Sequence, residues 1–119
     1  MAAPVVLVAE DDAGVRMTIE FLLEDEGFEI LMASDGEQAL ELARTKHPDV
    51  ILLDNLMPKM DGKAVLQALR QDERTSSIPV LVMSGMSSGE RGEWPGARFV
   101  GKPFRPEDLI EEIRSALIH

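Results

Sequence analysis

Glu10, Asp11 and Asp12 follow the apolar run 5–9, Asp54 follows 50–53, Ser84 follows 80–83, and Lys102, with Pro103 after it, follows 97–100. If the first and third runs are neighbouring strands, Glu10, Asp11 and Asp54 converge. Carboxylates a few ångströms apart repel, so one must hold a proton or they must share a cation. A set of oxygen donors alone suits Mg²⁺, which keeps several waters and accepts a phosphate oxygen. Lys102 adds a compact positive charge and Ser84 a hydroxyl. Together these groups describe a phosphoryl-transfer site whose nucleophile is a carboxylate, giving an aspartyl phosphate. Singly, each has a plainer reading. Asp11 and Asp12 could cap a helix, Asp54 could be a turn acid, and Lys102 could be a solvated lysine. The weight lies in four suitable groups at the same end of four separate runs.

The elements that would position them are legible in the hydrophobic pattern. The runs 5–9, 28–33, 50–53, 80–83 and 97–100 are short, apolar and show little polar alternation. That is how strands buried on both faces read, as in a parallel sheet covered by helices. Between them, Val15, Ile19, Leu22 and Leu23 fall at helical spacing after Asp12, a candidate N-cap. Ser34-Asp35-Gly36-Glu37 reads as a capping box ahead of Ala39, Leu40, Leu42 and Ala43. Ala64, Leu66, Leu69 and Arg70 mark a third helix. Pro106, Glu107 and Asp108 open a last one that carries Leu109, Ile110, Ile113 and Leu117. Residues 84–96 hold four glycines and one proline in thirteen positions, which predicts a short, irregular or mobile segment in place of a fourth helix. The alternation implies an α/β domain with parallel strands, whose functional crevice lies beyond the strands' carboxyl ends.

Composition bounds the function. The chain has 119 residues, one domain's worth, with no linker or low-complexity tract to mark a second. Its formal charge is −10, so direct binding to nucleic acid or an anionic membrane is not expected. It has no cysteine, which excludes a disulfide scaffold and a thiolate site. No apolar stretch approaches the ~20 residues that cross a bilayer, and the run 4–9 is too short for a signal peptide. A cytoplasmic protein is expected.

The chain resembles, over essentially its whole length, a response-regulator receiver domain of two-component signalling. The most specific part is Asp54-Asn55-Leu56-Met57-Pro58-Lys59-Met60-Asp61-Gly62, similar to the family's phospho-acceptor Asp and Met-Pro-x-Met-Asp-Gly loop. Glu10-Asp11 with Arg16, the run 80–83 leading into Ser84, and Gly101-Lys102-Pro103-Phe104 match the family's other signatures in order. The resemblance implies a flavodoxin-like, doubly wound five-stranded sheet in the order 2-1-3-4-5 over residues 1–119. It implies that Asp54 accepts the phosphoryl group. Glu10, Asp11, Asp54 and the carbonyl of Leu56 would hold Mg²⁺, with Lys102 and Ser84 contacting the phosphoryl group. Phe99 falls where the family places a switching aromatic, and the Lys102–Pro103 bond resembles one the family holds cis. The implied partners are a sensor histidine kinase or phosphotransfer protein, then a downstream protein or effector domain. The domain could stand alone or begin a longer protein. A phosphorylation-dependent homodimer is left open.

The sequence departs from the family in three places. Phe99 has no hydroxyl, so a switch there must work through packing. Gly85 follows Ser84 where a small alanine is common. The interval from Ser84 to Lys102 is about one helical turn, roughly four residues, shorter than usual, which bears on the surface the family uses for output. Trp94, the one tryptophan, lies in that interval. It is expected to pack over the core where a longer helix would sit, the alternative being an exposed anchor for a partner. Leu56 and Met86, two residues beyond Asp54 and Ser84, are apolar, which predicts slow self-dephosphorylation. Two other functions compete with the phospho-accepting receiver. One is an interaction module working without phosphorylation. The other, a Mg²⁺-dependent phosphatase with an Asp nucleophile, would need a second carboxylate where Leu56 stands.

Overall fold

The computed structural model describes residues 3–54, 61–84, 94, 96–101 and 105–118. In chain order its elements are β1 (Val5–Ala9), α1 (Ala13–Asp25), β2 (Glu29–Ala33), α2 (Gly36–Lys46), β3 (Val50–Asp54), α3 (Gly62–Gln71), β4 (Val80–Ser84), β5 (Arg98–Gly101) and α4 (Pro106–Ile118). The strands form one parallel sheet in the order β2-β1-β3-β4-β5. The parallel strands are those expected from the alternating runs, and their order is the doubly wound one that the resemblance implies. The glycine-rich stretch 85–93, with Pro95, lies outside the described residues, as do 55–60 and 102–104. No described helix is long and apolar enough to cross a membrane.

Strand side chains alternate between the two faces, and each face makes its own core. Leu7, Ala9, Leu53 and Val82 pack with Ala39, Leu40, Leu66 and Leu69 of α2 and α3. Val6, Val8, Leu52 and Met83 pack with Ile19 and Leu23 of α1 and with Leu109 and Ile113 of α4. Full burial of such a side chain stabilises by about 1.5–3 kcal/mol. Burial on both faces holds for β1, β3 and the described β4 side chains but fails at the edges. Glu29 of β2 and Gly101 of β5 are exposed, and Arg98 and Phe99 are half-buried, because each edge strand has a neighbour on one side only.

Local expectations need correction in two respects. The runs 28–33 and 97–100 each begin one residue before their strands, Glu29–Ala33 and Arg98–Gly101. Phe28 completes the stop of α1, its N–H bonding to the Leu23 carbonyl while that of Gly27 bonds to Glu24. Gly27 adopts φ +88°, so this is a Schellman stop with glycine in the left-handed position. The cap of α2 is also one residue later than the box Ser34-x-x-Glu37 implied. Asp35 Oδ1 accepts from Gln38 N–H at 2.9 Å, and Gln38 Oε1 accepts from Ser34 N–H at 2.8 Å and from its hydroxyl at 3.0 Å. Asp35 has the extended backbone of a cap residue. Asp35 thus receives the cap bond, while the Gln38 side chain reaches back past it to Ser34.

Candidate functional site

The parallel register sets the ends of β1 and β3 side by side, with Ala9 opposite Leu53. Glu10 follows Ala9 and Asp54 ends β3, so the two come together at the carboxyl edge of the sheet. Glu10 N–H bonds to the Ala33 carbonyl at 3.0 Å, carrying the β1–β2 ladder one residue further. Glu10 is 1 % exposed and Asp54 4 % exposed, whereas Asp11 is open to solvent. One carboxylate oxygen from each of the three lies within 4.8 Å of the others.

The acidic turn is held by its backbone. Asp12 caps α1, its Oδ1 accepting from Gly14 N–H at 2.8 Å and from Val15 N–H at 3.1 Å. A Glu10 carboxylate oxygen, Oε2, accepts from Asp12 N–H at 3.2 Å. Arg16 Nη1 donates to the carbonyl of Glu10 at 2.9 Å and to that of Asp11 at 3.3 Å. Thus Asp12 takes the capping role that either aspartate could have filled, and Asp11 is left to point at Asp54. The part played by Arg16 was not readable from residue type, because its acceptors are carbonyls, which every residue carries. Asp61, which closes the Met-Pro loop, accepts from Ala64 N–H at 2.9 Å and caps α3.

Charge governs what such a cluster can do. A divalent cation held between three carboxylate oxygens would offset their combined charge. The donors are all oxygen, two of them shielded from water, which suits a hard cation such as Mg²⁺.

The other expected residues fall as follows. The backbone of Ser84 ends β4 opposite Gly101 of β5, at the same edge of the sheet as Asp54. Lys102, Leu56, Met86 and the Lys102–Pro103 bond lie outside the described residues. Phe99 is half-buried in β5, and Trp94 packs edge-on against it, ring centroids 6.0 Å apart at 78°. Trp94 is 7 % exposed and joins the core on the α2/α3 face, so it packs and is no exposed anchor. Behind it, Arg70 of α3 donates to the carbonyls of Ile78 at 2.8 Å, Ser76 at 3.1 Å and Gly96 at 3.5 Å, tying α3 to the turn before β5.

A family model described as the response regulator receiver domain matches residues 6–114. A probable transcriptional regulator ycf27 of Porphyridium aerugineum is 37% identical over 113 residues, 94% of this chain and 47% of the relative. The DNA-binding dual master transcriptional regulator RpaA of Synechocystis is 36% identical over 118 residues, 96% of this chain and 49% of RpaA. The chain thus spans about half the length of these curated relatives. Among solved structures, the Vibrio cholerae chemotaxis protein CheY4 superposes with a TM-score of 0.91 at 30% identity, covering 98% of this chain and 100% of that one. The receiver domain of the Francisella response regulator 1452 does so with a TM-score of 0.89 at 33% identity, covering 96% of each.

Proposed function

The chain belongs to the response regulator receiver domain family, and from that premise we propose that Asp54 takes a phosphoryl group from a histidine kinase or phosphotransfer protein. The observation that carries this reading is the gathering of Glu10, Asp11 and Asp54 within 4.8 Å at the carboxyl edge of the sheet. A carboxylate oxygen of Asp54 attacks phosphorus as the phosphorus–nitrogen bond of the donor phosphohistidine breaks. The leaving imidazole nitrogen keeps the electron pair, and the product is an acyl phosphate. Glu10, Asp11, Asp54 and the carbonyl of Leu56 would hold Mg²⁺, which offsets the charge of the incoming dianion. By the family's pattern, Lys102 contacts the phosphoryl group and the Ser84 hydroxyl donates to it.

Phosphorylation then acts as a local charge change read out by packing. Drawing Ser84 towards the phosphoryl group alters the space beside Phe99, whose ring carries no hydroxyl to fix it. The equilibrium shifts only as far as the two states differ in contacts. In this reading residues 1–119 form one cytoplasmic receiver that catalyses only its own phosphorylation and slow dephosphorylation. Its downstream partner is a protein surface, since a net charge of −10 opposes DNA.

Intact-mass analysis after incubation with acetyl phosphate and Mg²⁺ tests it. The chain is expected to gain one phosphoryl group and Asp54→Asn none. Label persisting on Asp54→Asn would place the acceptor elsewhere.

A further inference from the structure

A groove of about 590 Å³ runs between the C-terminal part of α1 and the length of α4, on the helical layer that packs against the second face of the sheet. Leu22, Ile110 and Ile118 supply its apolar surface, and Ile118 is 80 % exposed. In α1, Phe21 is 72 % exposed outside the groove. The apolar floor is a narrow concave strip with charged residues along its sides.

The rim is acidic. Asp25, Glu26, Glu107 and Glu111 line it against a single cation, Arg114, among the described residues, a surplus of three negative charges. Arg114 Nη2 is itself engaged, 2.8 Å from Glu26 Oε2. The groove follows α4 from Pro106 to Ile118, about 18 Å at 1.5 Å per residue, the length of a three-turn helix.

We infer that this α1/α4 groove docks a basic amphipathic helix of a partner protein, its apolar stripe on Leu22, Ile110 and Ile118 and its Lys or Arg residues against the acidic rim. Charge selects this occupant. Nucleic acid and anionic lipid are repelled by the same rim. A second copy, joined by a twofold axis, would set this acidic rim, with its surplus of three negative charges, against an identical one. The docking uses no residue of the carboxylate cluster and needs no phosphoryl group, so it stands or falls apart from the reading of Asp54.

The test is an NMR titration of the whole chain with a synthetic fourteen-residue amphipathic Lys/Leu peptide (about three to four turns) and its scrambled isomer of equal composition. The amphipathic peptide is expected to perturb amides of residues 22–26 and 107–118. Its affinity should fall about tenfold on Glu107→Lys with Glu111→Lys, exposed positions whose exchange leaves the fold intact by circular dichroism, and fall with added salt. Equal binding of the scrambled peptide, perturbations centred elsewhere, or no response to the charge reversal would overturn the inference. So would self-association of the chain through this face in sedimentation.

Discussion

Arg16 donates to the carbonyls of Glu10 and Asp11 and so holds the acidic turn without offering a ligand of its own. Supporting contacts of this kind commonly govern metal affinity by 10–100-fold. Arg16→Gln is therefore expected to weaken Mg²⁺ binding about tenfold while all three carboxylates stay in place, measured by magnesium titration. An unchanged affinity would make the arginine a merely structural group. At the opposite end of the molecule Asp72 ends α3, and Arg74 donates to both its carboxylate oxygens, at 3.1 and 2.8 Å. Those bonds first, then the Arg74 backbone N–H and the charges of Arg74 and Arg44, hold its carboxyl well below the usual carboxylate range. A depressed native value means the stabilisation is present above the unfolded value, near about pH 4, and is lost as pH falls through the native one. The chain should thus exceed Asp72→Asn in stability at neutral pH, and the gap should close in acid. Denaturant melts from pH 7 downward measure it, and a gap independent of pH would assign the effect to geometry instead of charge.

The first three helices are started or stopped by groups suited to the job, with one exception. Asp12, Asp35 and Asp61 cap α1, α2 and α3 with carboxylates that accept from backbone N–H groups of the first turn. Gly27 ends α1 in the left-handed region that glycine adopts without cost from a Cβ. His47 ends α2 in the same region at φ 48° with a side chain attached. That conformation costs an L-residue about 1–2 kcal/mol, part of which a glycine returns as extra freedom of the unfolded chain. His47→Gly is expected to raise stability by about 0.5–1 kcal/mol, read as a higher denaturant midpoint at unchanged slope. A lower midpoint would show that the His47 side chain stabilises the turn. Element order and type were legible because apolar runs and helical spacing are local properties. The shift of the α2 cap from Ser34 to Asp35 was not, since both residues suit the position and only the chain's path decides between them.

At the scale of the whole molecule, folding sets one carboxylate oxygen each of Glu10, Asp11 and Asp54 within 4.8 Å of the others, and like charges at that range repel. Two like charges about 4 Å apart repel by roughly 1 kcal/mol in water and by more where solvent is excluded. Asp11→Asn is expected to raise the melting temperature without magnesium by a few degrees, about 4 °C per kcal/mol, and to remove most of the rise that Mg²⁺ gives the unmodified chain. Thermal melts with and without the ion measure both. A variant that melts lower without the ion would mean that Asp11 adds more in contacts than it loses to repulsion. The order of runs, the acids at their ends, the absent cysteine and the surplus of negative charge were determined by the sequence alone, because type and spacing carry them. Tertiary structure decided that Asp12 caps while Asp11 joins Asp54, that Arg16 holds the turn, that Trp94 lies over Phe99, and that an acid-rimmed groove opens between α1 and α4. Each of those depends on which distant residues the sheet register and helix packing bring into contact, and no local pattern encodes that.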